Sequence, residues 1–379
     1  MSTLRGRLPE GHTVAVAVDD GRIAAVREVP AAADDPWLTP GFIDLQVNGF
    51  GGFDANGDDV SPQAVAGMTA ALARAGTTTF APTVITAPET AIHASLAAIV
   101  AAREADPAVA AAIPLIHLEG PHLSDQDGPR GVHPATEIRP PDLAEFDRWQ
   151  QTAQGLIGIV TISAHWPEAL GYTRGLVARG VRVAIGHTHA SPEQITEVVS
   201  AGATLSTHLG NGAHAVLPRH PNYLWRQLAD DRLTAGLIAD GHHLPADTLK
   251  AMIRAKTPER VILVSDAVAL AGMPPGDYVQ PVGGTVRLEP SGRLGYVGTP
   301  FLAGSAARLA DCVATAASLA GIDLATAVDC ATATPARVLG DSTRGVVAVG
   351  ARADLVTFDW QPGDLTLGLR DVLVGGREL

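Results

Sequence analysis

Short apolar runs alternate with alanine-rich helical stretches through most of the 379-residue chain, and this alternation constrains the fold more than any other feature. The clearest apolar runs cover residues 113–118, 156–162, 181–185, 204–207 and 261–264. Strands and helices in alternation predict a parallel α/β core. About 300 residues separate Pro40 from Gly345, and a (β/α)₈ barrel needs about 250. We therefore expect a TIM-like barrel, with a doubly wound parallel sheet as the alternative.

The two ends of the chain carry a different pattern. Residues 13–19 and 22–29 alternate with a period of two residues about a turn at Asp19–Gly21, which predicts a β-hairpin. Short strands are again expected at 353–358 and 371–375. The termini could share one small sheet. We therefore predict a small domain from residues 1–39 and 345–379, and a barrel from residues 40–344.

Composition limits the function classes. The formal net charge of −13 disfavours binding to nucleic acids and to anionic membrane surfaces. The sequence contains no apolar run of about 18 residues, as a membrane helix needs, and the first residues do not resemble a secretory signal. The two cysteines, Cys312 and Cys330, are expected to be buried thiols in a reducing compartment. A cytoplasmic location is the simplest expectation.

Histidines are concentrated in one third of the chain, with 11 of the 13 between His117 and His243. Histidine is the commonest metal ligand and the usual proton carrier near neutral pH, so this clustering favours a polar site. Polar side chains also follow the ends of apolar runs at Glu119, His187 and His208, and at Asp266. In a barrel the carboxyl ends of the strands open onto one face, so these four side chains can surround one cavity.

This set of side chains predicts metal-assisted hydrolysis of an amide. Glu119, His187 and His208 supply one carboxylate and two imidazoles, which leaves an open ligand position, as catalytic zinc sites require. A divalent ion there would acidify a water molecule and polarise a carbonyl group. Asp266 could then pass a proton from the water to the leaving amine. One ion per subunit is expected, zinc first, although iron, manganese and cobalt suit the same ligands.

Other histidines have simpler interpretations. His189 lies two residues after His187, and His117 shares a strand face with Glu119. We expect both to orient the ligands or to pack beside them. His12 and His93 lie outside the cluster and are expected at the surface.

The chain resembles the N-acetylglucosamine-6-phosphate deacetylases of the amidohydrolase superfamily. The matching segments are, in family order, PGFIDLQVNGFGG (40–52), GTTTFAPTVIT (76–86), HLEGPHLS (117–124), GHTHA (186–190), THLGN (207–211), IADGHH (238–243), VSDA (264–267) and LAGS (302–305). Each string alone is weak, but their ordered combination is specific and spans nearly the whole chain. The resemblance implies a metal-centred (β/α)₈ barrel with a small β-sandwich domain formed by both termini.

The resemblance also implies roles around the predicted metal. Glu119, His187 and His208 would be the metal ligands, and Asp266 would be the catalytic acid and base. His133 matches a residue that contacts the substrate and would polarise the acetyl carbonyl.

A further group would bind the sugar phosphate. His243 would hold the sugar, and Arg219 aligns with a family arginine that binds the 6-phosphate, in some members across the interface of a homodimer. Asn211 and Gly212 would add polar contacts beside Arg219.

Gln46 and Asn48 follow Asp44 at the position where many amidohydrolases carry His-x-His for a second metal. Neither amide replaces an imidazole well, so the resemblance favours the branch with a single metal. The two amides are expected either to contact substrate or to form hydrogen bonds within their loop.

The departures from the family pattern lie near the expected substrate. The stretch from His208 to His214 lacks the usual aromatic residue and methionine, residues 163–168 read SAHWPE, and His189 replaces an Asn or Asp. The leading hypothesis is hydrolysis of N-acetylglucosamine 6-phosphate to glucosamine 6-phosphate and acetate. The alternatives are deacylation of an unphosphorylated or differently decorated N-acetyl sugar or small N-acyl metabolite, and a non-catalytic binding protein on the same barrel.

Overall fold

Strands and helices alternate along the chain in the computed structural model, which describes residues 2–280 and 284–379. The strands are β1 (Ser2–Arg7), β2 (Thr13–Asp19), β3 (Arg22–Glu28), β4 (Trp37–Pro40), β5 (Phe42–Val47), β6 (Gly49–Phe50), β7 (Phe53–Asp54), β8 (Thr77–Ile85), β9 (Ile116–Glu119), β10 (Ile157–Ile162), β11 (Arg182–Ile185), β12 (Leu205–Ser206), β13 (Thr234–Ile238), β14 (Val261–Val264), β15 (Gly276–Gln280), β16 (Gly284–Leu288), β17 (Leu294–Tyr296), β18 (Leu355–Asp359), β19 (Gly368–Val374) and β20 (Arg377–Glu378).

The helices that follow or connect these strands are α1 (Pro62–Arg74), α2 (Glu89–Ala105), α3 (Pro107–Ala112), α4 (Leu143–Thr152), α5 (Ala169–Ala178), α6 (Pro192–Ser200), α7 (Tyr223–Ala229), α8 (Ala246–Lys256), α9 (Leu309–Leu319), α10 (Leu324–Asp329) and α11 (Ala333–Leu339). Local sequence explains where several of them begin. Ser191 and Gln194, for example, form a reciprocal capping box at the start of α6.

Eight parallel strands form the barrel predicted from the alternation of strands and helices. The sheet order is β14-β13-β12-β11-β10-β9-β8-β5, which follows the chain from one end to the other. Branched apolar side chains, among them Ile43, Ile159, Ile238 and Ile262, form a buried cluster contributed by these strands. Such layers of side chains are typical of (β/α)₈ barrels, so the interior is a packed core and the carboxyl ends of the strands carry the polar groups.

Two polar contacts join the first and last strands of the barrel. The Asp44 carboxylate accepts the backbone N–H of Ser265 at 3.3 Å, and the Gln46 carbonyl accepts the N–H of Asp266 at 3.0 Å. These contacts bring the end of β5 beside the end of β14. The barrel is therefore nearly closed, and Gln46 lies next to Asp266 although they are far apart in the sequence.

The termini form a separate seven-stranded sheet in the order β20-β19-β18-β4-β1-β2-β3, which confirms the prediction of a shared terminal sheet. Val14, Val16 and Val18 alternate along β2 and are buried against Leu38 and Leu355. The domain limits at residues 39, 40, 344 and 345 stay a prediction.

Smaller features complete the fold. The apolar run at 113–118 begins outside the strand, because Ile113 caps the C-terminus of α3 and β9 starts at Ile116. Strands β15, β16 and β17 form an additional antiparallel sheet between β14 and α9. Cys312 and Cys330 are free and buried, as predicted. Within residues 2–280 and 284–379, every helix is too short or too polar to cross a membrane.

Candidate metal centre and active site

Three side chains meet at the carboxyl end of the barrel. Glu119 is the last residue of β9, and His187 and His208 are each the second residue after their strands, β11 and β12. Nε2 of His187 lies 3.0 Å from Nε2 of His208, and these atoms lie 3.2 and 3.0 Å from Oε1 of Glu119. All three residues are buried. The structure therefore brings the three predicted ligands together.

The donor set suits a divalent cation. Ligand atoms around a tetrahedral ion with bonds of about 2.0–2.1 Å lie about 3.3 Å apart, close to the sides of this triangle. Burial alone would raise the pKa of Glu119, but hydrogen bonds from His187 and His208 hold it well below its ordinary value. Burial lowers the pKa of His208, yet the Glu119 hydrogen bond and charge outweigh it and raise that pKa to about 9. The centre therefore attracts positive charge.

Neighbouring groups orient the ligands. The Nδ1–H of His187 donates to the carbonyl of Pro129 at 2.7 Å, which leaves Nε2 free to coordinate an ion. Gln46 donates from Nε2 to Oε2 of Glu119 at 3.2 Å. The carboxylate is thereby fixed on one oxygen and can present the other to an ion.

The backbone at the site is strained. His187, His208 and Asp266 have φ values of 46°, 25° and 50°, a region that residues other than glycine rarely adopt. Each is the second residue after its strand, so the left-handed turn directs the side chain across the mouth of the barrel. Strain of this kind persists when the surrounding structure imposes it and is frequent at functional sites.

Asp266 lies beside the three ligands without joining their hydrogen-bonded triangle. Its Oδ1 accepts a hydrogen bond of 2.8 Å from Nδ2 of Asn48. Burial raises the pKa of Asp266 to about 6, while the charge of His208 acts in the opposite direction. A carboxyl group with this pKa can gain and lose a proton near neutral pH.

His133 approaches the same centre from the loop after β9. Its Nε2 lies 3.4 Å from Nε2 of His187, and burial lowers its pKa to about 3, so the ring is neutral. The ligand atoms of Glu119, His133 and His187 also lie within 4.8 Å of one another. His208 fits the ligand role better than His133, because of these two residues His208 alone has a described hydrogen-bond contact to Glu119, at 3.0 Å.

His243 is held by a residue whose role the sequence did not predict. The Asp240 carboxylate accepts the His243 ring Nδ1–H at 2.6 Å, and its other oxygen accepts the backbone N–H groups of His242 and His243. Burial would raise the pKa of Asp240, but these bonds lower it. His243 therefore has a fixed ring orientation at the end of β13.

The three remaining predicted substrate contacts lie in the segment after β12. Gly212 packs on His187, because a Cβ atom there would lie 2.7 Å from Nδ1 of that ring. Nδ2 of Asn211 is buried and has no hydrogen-bond partner among the described residues. Arg219 is exposed and makes neither a hydrogen bond nor an ion pair with them.

The other predicted histidines lie away from the triangle. His117 is buried within the barrel, where its two ring nitrogens bond the Leu45 carbonyl and the Thr161 hydroxyl. His189 bonds Ser124, whose backbone N–H donates to the His187 carbonyl. Of the two residues expected at the surface, His12 is exposed, whereas His93 is half-buried.

Sequence patterns missed the residues that orient the site. Asp240 is visible in the segment IADGHH, but an acid one turn before a histidine does not by itself indicate a hydrogen bond. The Pro129 carbonyl has no side-chain signal at all. Gly131 and Gly212, which lie against the His187 ring, could have been noticed only as glycines near predicted ligands.

Comparison with known proteins agrees with this geometry. Residues 37–378 match the model of the amidohydrolase family. A protein from Escherichia coli O157:H7 named N-acetylgalactosamine-6-phosphate deacetylase is 34% identical over 361 residues, which cover 92% of this chain and 91% of that protein. The human N-acetylglucosamine-6-phosphate deacetylase is 34% identical over 85% of this chain and 79% of its own length.

A solved structure has the same fold. A point mutant of the N-acetyl-D-glucosamine-6-phosphate deacetylase of Mycobacterium smegmatis, determined in complex with N-acetyl-D-glucosamine 6-phosphate, superposes with a TM-score of 0.85 at 28% identity. It covers 100% of this chain and 99% of its own. The fold and site define an amide-hydrolysing enzyme. The chain belongs to the amidohydrolase family and, within it, to the deacetylases of N-acetylated amino-sugar phosphates.

Proposed function

We propose that this enzyme removes the acetyl group from N-acetylglucosamine 6-phosphate and releases glucosamine 6-phosphate and acetate. The observation that carries the proposal is the meeting of Glu119, His187 and His208 beside a half-buried Asp266, whose side chain bonds Asn48 and none of the three ligands among the described residues. The names of the relatives support the substrate class.

Glu119, His187 and His208 would hold one divalent ion, with zinc as the first expectation. Such an ion lowers the pKa of water and polarises a carbonyl oxygen. Their fit rests on the triangle of ligand atoms and on the bond from His187 Nδ1 to Pro129, which directs Nε2 inward. Because His133 is assigned to the substrate, the remaining ligands are Glu119, His187 and His208. These three suffice for one ion per chain.

Proton transfer is assigned to Asp266. As a carboxylate it accepts a proton from the attacking water, and as a carboxylic acid it donates that proton to the amine that leaves. Asn48 holds one oxygen in place, so the other oxygen is free for both steps. His133, which is neutral, would donate a hydrogen bond to the acetyl oxygen as negative charge develops on it.

The sugar phosphate would be held further out. Asp240 fixes the His243 ring, which supports its assignment to a sugar hydroxyl. Arg219 is available for an anion, and the neighbouring Val216 is 87% exposed. We propose that Arg219 reaches the phosphate of a partner subunit in a homodimer. Light scattering that gives a monomer at working concentration would remove this part of the proposal.

The test is acetate release from N-acetylglucosamine with and without the 6-phosphate, and from the galactose epimer, N-acetylgalactosamine 6-phosphate. We expect kcat/KM to be more than tenfold higher with the phosphate, since a charge-assisted contact contributes at least about 1.4 kcal/mol. A smaller preference would favour an unphosphorylated N-acyl substrate. The name of the Escherichia coli relative makes the galactose epimer the second candidate substrate.

The location in the cell stays a prediction. Two buried free thiols fit a reducing compartment such as the cytoplasm.

A further inference from the structure

Two histidines that none of the proposed steps uses form a pair of closely packed rings at the carboxyl ends of β10 and β11. The ring centroids of His165 and His189 are 4.0 Å apart with 35° between the ring planes. His165 also stacks on Trp166, at 4.4 Å and 40°. The three rings therefore form a continuous stack that ends at His189, two residues after the predicted ligand His187.

Buried hydroxyl groups hold both imidazoles by the same ring atom. Nδ1 of His165 bonds Ser163 at 2.6 Å, and Nδ1 of His189 bonds Ser124 at 2.6 Å. Both serines are fully buried. Ser163 in turn donates to Thr188, so its oxygen is left to accept the Nδ1–H of His165. This assigns the proton of His165 to Nδ1 and a free lone pair to Nε2.

The outer nitrogen of each ring is available to a ligand. Neither Nε2 atom bonds any described residue, and neither is among the buried polar atoms that lack a partner, so solvent reaches both. Both rings are half-buried. Burial lowers the pKa of His165 to about 4, and the charge of His189 lowers it further, so this ring is neutral at pH 7. A neutral ring with a free lone pair accepts a hydrogen bond from a hydroxyl group.

The position of the pair in the barrel relates it to the substrate. His165 follows β10 and His189 follows β11, whereas Asp266 follows β14. In the strand order β10 is four places from β14, which is half of an eight-stranded ring. The pair therefore lies on the wall of the barrel mouth across from the predicted proton carrier, and a sugar held between them would reach both walls.

We infer that His165 and His189 form a subsite that accepts a hydrogen bond from one ring hydroxyl of the substrate sugar. This inference rests on the proposed function, which supplies the sugar. In N-acetylglucosamine 6-phosphate the free hydroxyl groups are those at C1, C3 and C4. The subsite recognises one of these hydroxyl groups. Ser124, Ser163 and Trp166 keep the two imidazole rings in a fixed orientation.

The test combines variants of the pair with substrates that lack one hydroxyl. His165→Phe and His189→Phe keep the stacked ring and remove the nitrogen atoms, whereas His189→Asn keeps a polar group. Each protein is assayed with the parent compound and with its 1-deoxy, 3-deoxy and 4-deoxy analogues. His12→Ala, which removes an exposed imidazole on the terminal sheet, is the control. Metal content is measured for every variant.

We expect at least one Phe variant to lower kcat/KM for the parent compound by about three- to tenfold, the effect of one hydrogen bond. With one of the three deoxy analogues, the same variant should have the kcat/KM of the wild type. His189→Asn should lower kcat/KM for the parent compound less than His189→Phe does. Metal content should be unchanged in all the variants. Equal losses with all four compounds, or no loss with the parent, would overturn the inference, because a structural role does not depend on a substrate hydroxyl.

The outcome is separable from that of the proposed function. If the wild-type enzyme releases no acetate from the parent compound, the proposed function fails at that point. Binding of the same four compounds is then measured by calorimetry. The subsite is still supported if a Phe variant binds the parent compound three- to tenfold more weakly than the wild type but binds one deoxy analogue equally well. The subsite is refuted if no Phe variant shows this difference.

Discussion

Asn48 and Asp266 are 218 residues apart in the chain and are joined by a hydrogen bond of 2.8 Å from Nδ2 to Oδ1. Asn48 follows the first strand of the barrel and Asp266 follows the last, so the bond crosses the seam at which the barrel closes. Gln46, two residues earlier, donates to Glu119. The side-chain amides of Gln46 and Asn48 thus bond the carboxylates of Glu119 and Asp266. Because both amides lie at the end of β5, the position of this strand determines where the two carboxylates are held.

This bond predicts a shift in pH dependence. Asp266 must be ionised to accept a proton, so kcat/KM should fall as the pH drops below its pKa. Burial raises that pKa to about 6, and a bound cation would favour the carboxylate, which sets the acid limb at or below about pH 6. In Asn48→Ala the carboxylate loses a donor, so the limb should move to higher pH by up to about one unit. Profiles of kcat/KM for both proteins test this, and a limb that stays or moves down contradicts it.

Asp266→Asn should remove proton transfer and leave the ion in place. We expect kcat to fall by about 10²–10⁴, because a positioned acid or base contributes that much. Metal content should match the wild type, since the ligand triangle does not include Asp266. The control is Asp58→Asn, at an exposed loop position. Near-native activity of Asp266→Asn would refute the acid and base assignment.

Gly212 and Gly180 offer a matched pair for the packing of His187. Both have positive φ, 55° and 77°, so alanine strains the backbone at either position. A Cβ at position 212 would lie 2.7 Å from Nδ1 of His187, whereas a Cβ at position 180 would have no atom of the described residues within 4 Å. Gly212→Ala should therefore weaken metal binding by about 10–100-fold, the range seen when the support of a ligand is disturbed.

Competition with a chelator measures this difference in affinity. Gly180→Ala should bind metal like the wild type. Its loss in thermal stability from backbone strain should be small and similar to the loss that the same strain causes in Gly212→Ala. Equal metal affinity in the two variants would mean that the His187 ring does not depend on the absence of a side chain at position 212.

Asp44 predicts a stability effect with a defined sign. Burial raises its folded-state pKa to about 7, against hydrogen bonds from Ser265 and Gln46 that lower it. The unfolded chain has a pKa near 3.9, so between about pH 4 and 7 the folded protein binds more protons, and its free energy of unfolding falls as the pH rises. Asp44→Asn cannot ionise and should lose this component. Unfolding midpoints across pH 4–8 test the difference, and parallel curves for the two proteins would contradict it.

The sequence predicted the parts of the site that lie at strand ends. Glu119, His187, His208 and Asp266 could be found because each follows an apolar run, and the carboxyl ends of parallel strands meet on one face. The resemblance added His133 and His243, which lie in loops that periodicity cannot place. The barrel and the terminal sheet could be predicted from local patterns as well, because strands and helices repeat their apolar side chains with periods of 2 and 3.6 residues.

The parts that could not be predicted depend on loop conformation. The Pro129 carbonyl reaches His187 only because of the path of residues 120–134, and Asp240 reaches His243 only through the turn at Gly241. The stacked pair of His165 and His189 joins two loops whose contact has no sequence signal. The start of β9 was predicted three residues early, because an apolar residue at a helix end and one in a strand look alike.

The central claim is that Glu119, His187 and His208 bind one divalent ion. Anomalous diffraction from crystals of the purified enzyme, recorded at the edge of the metal found by elemental analysis, tests this most directly. We expect one peak per chain, within about 2.0–2.3 Å of Oε1 of Glu119 and of Nε2 of both histidines. An active enzyme whose crystals lack a peak at this position, or place the ion on other residues, would contradict the account.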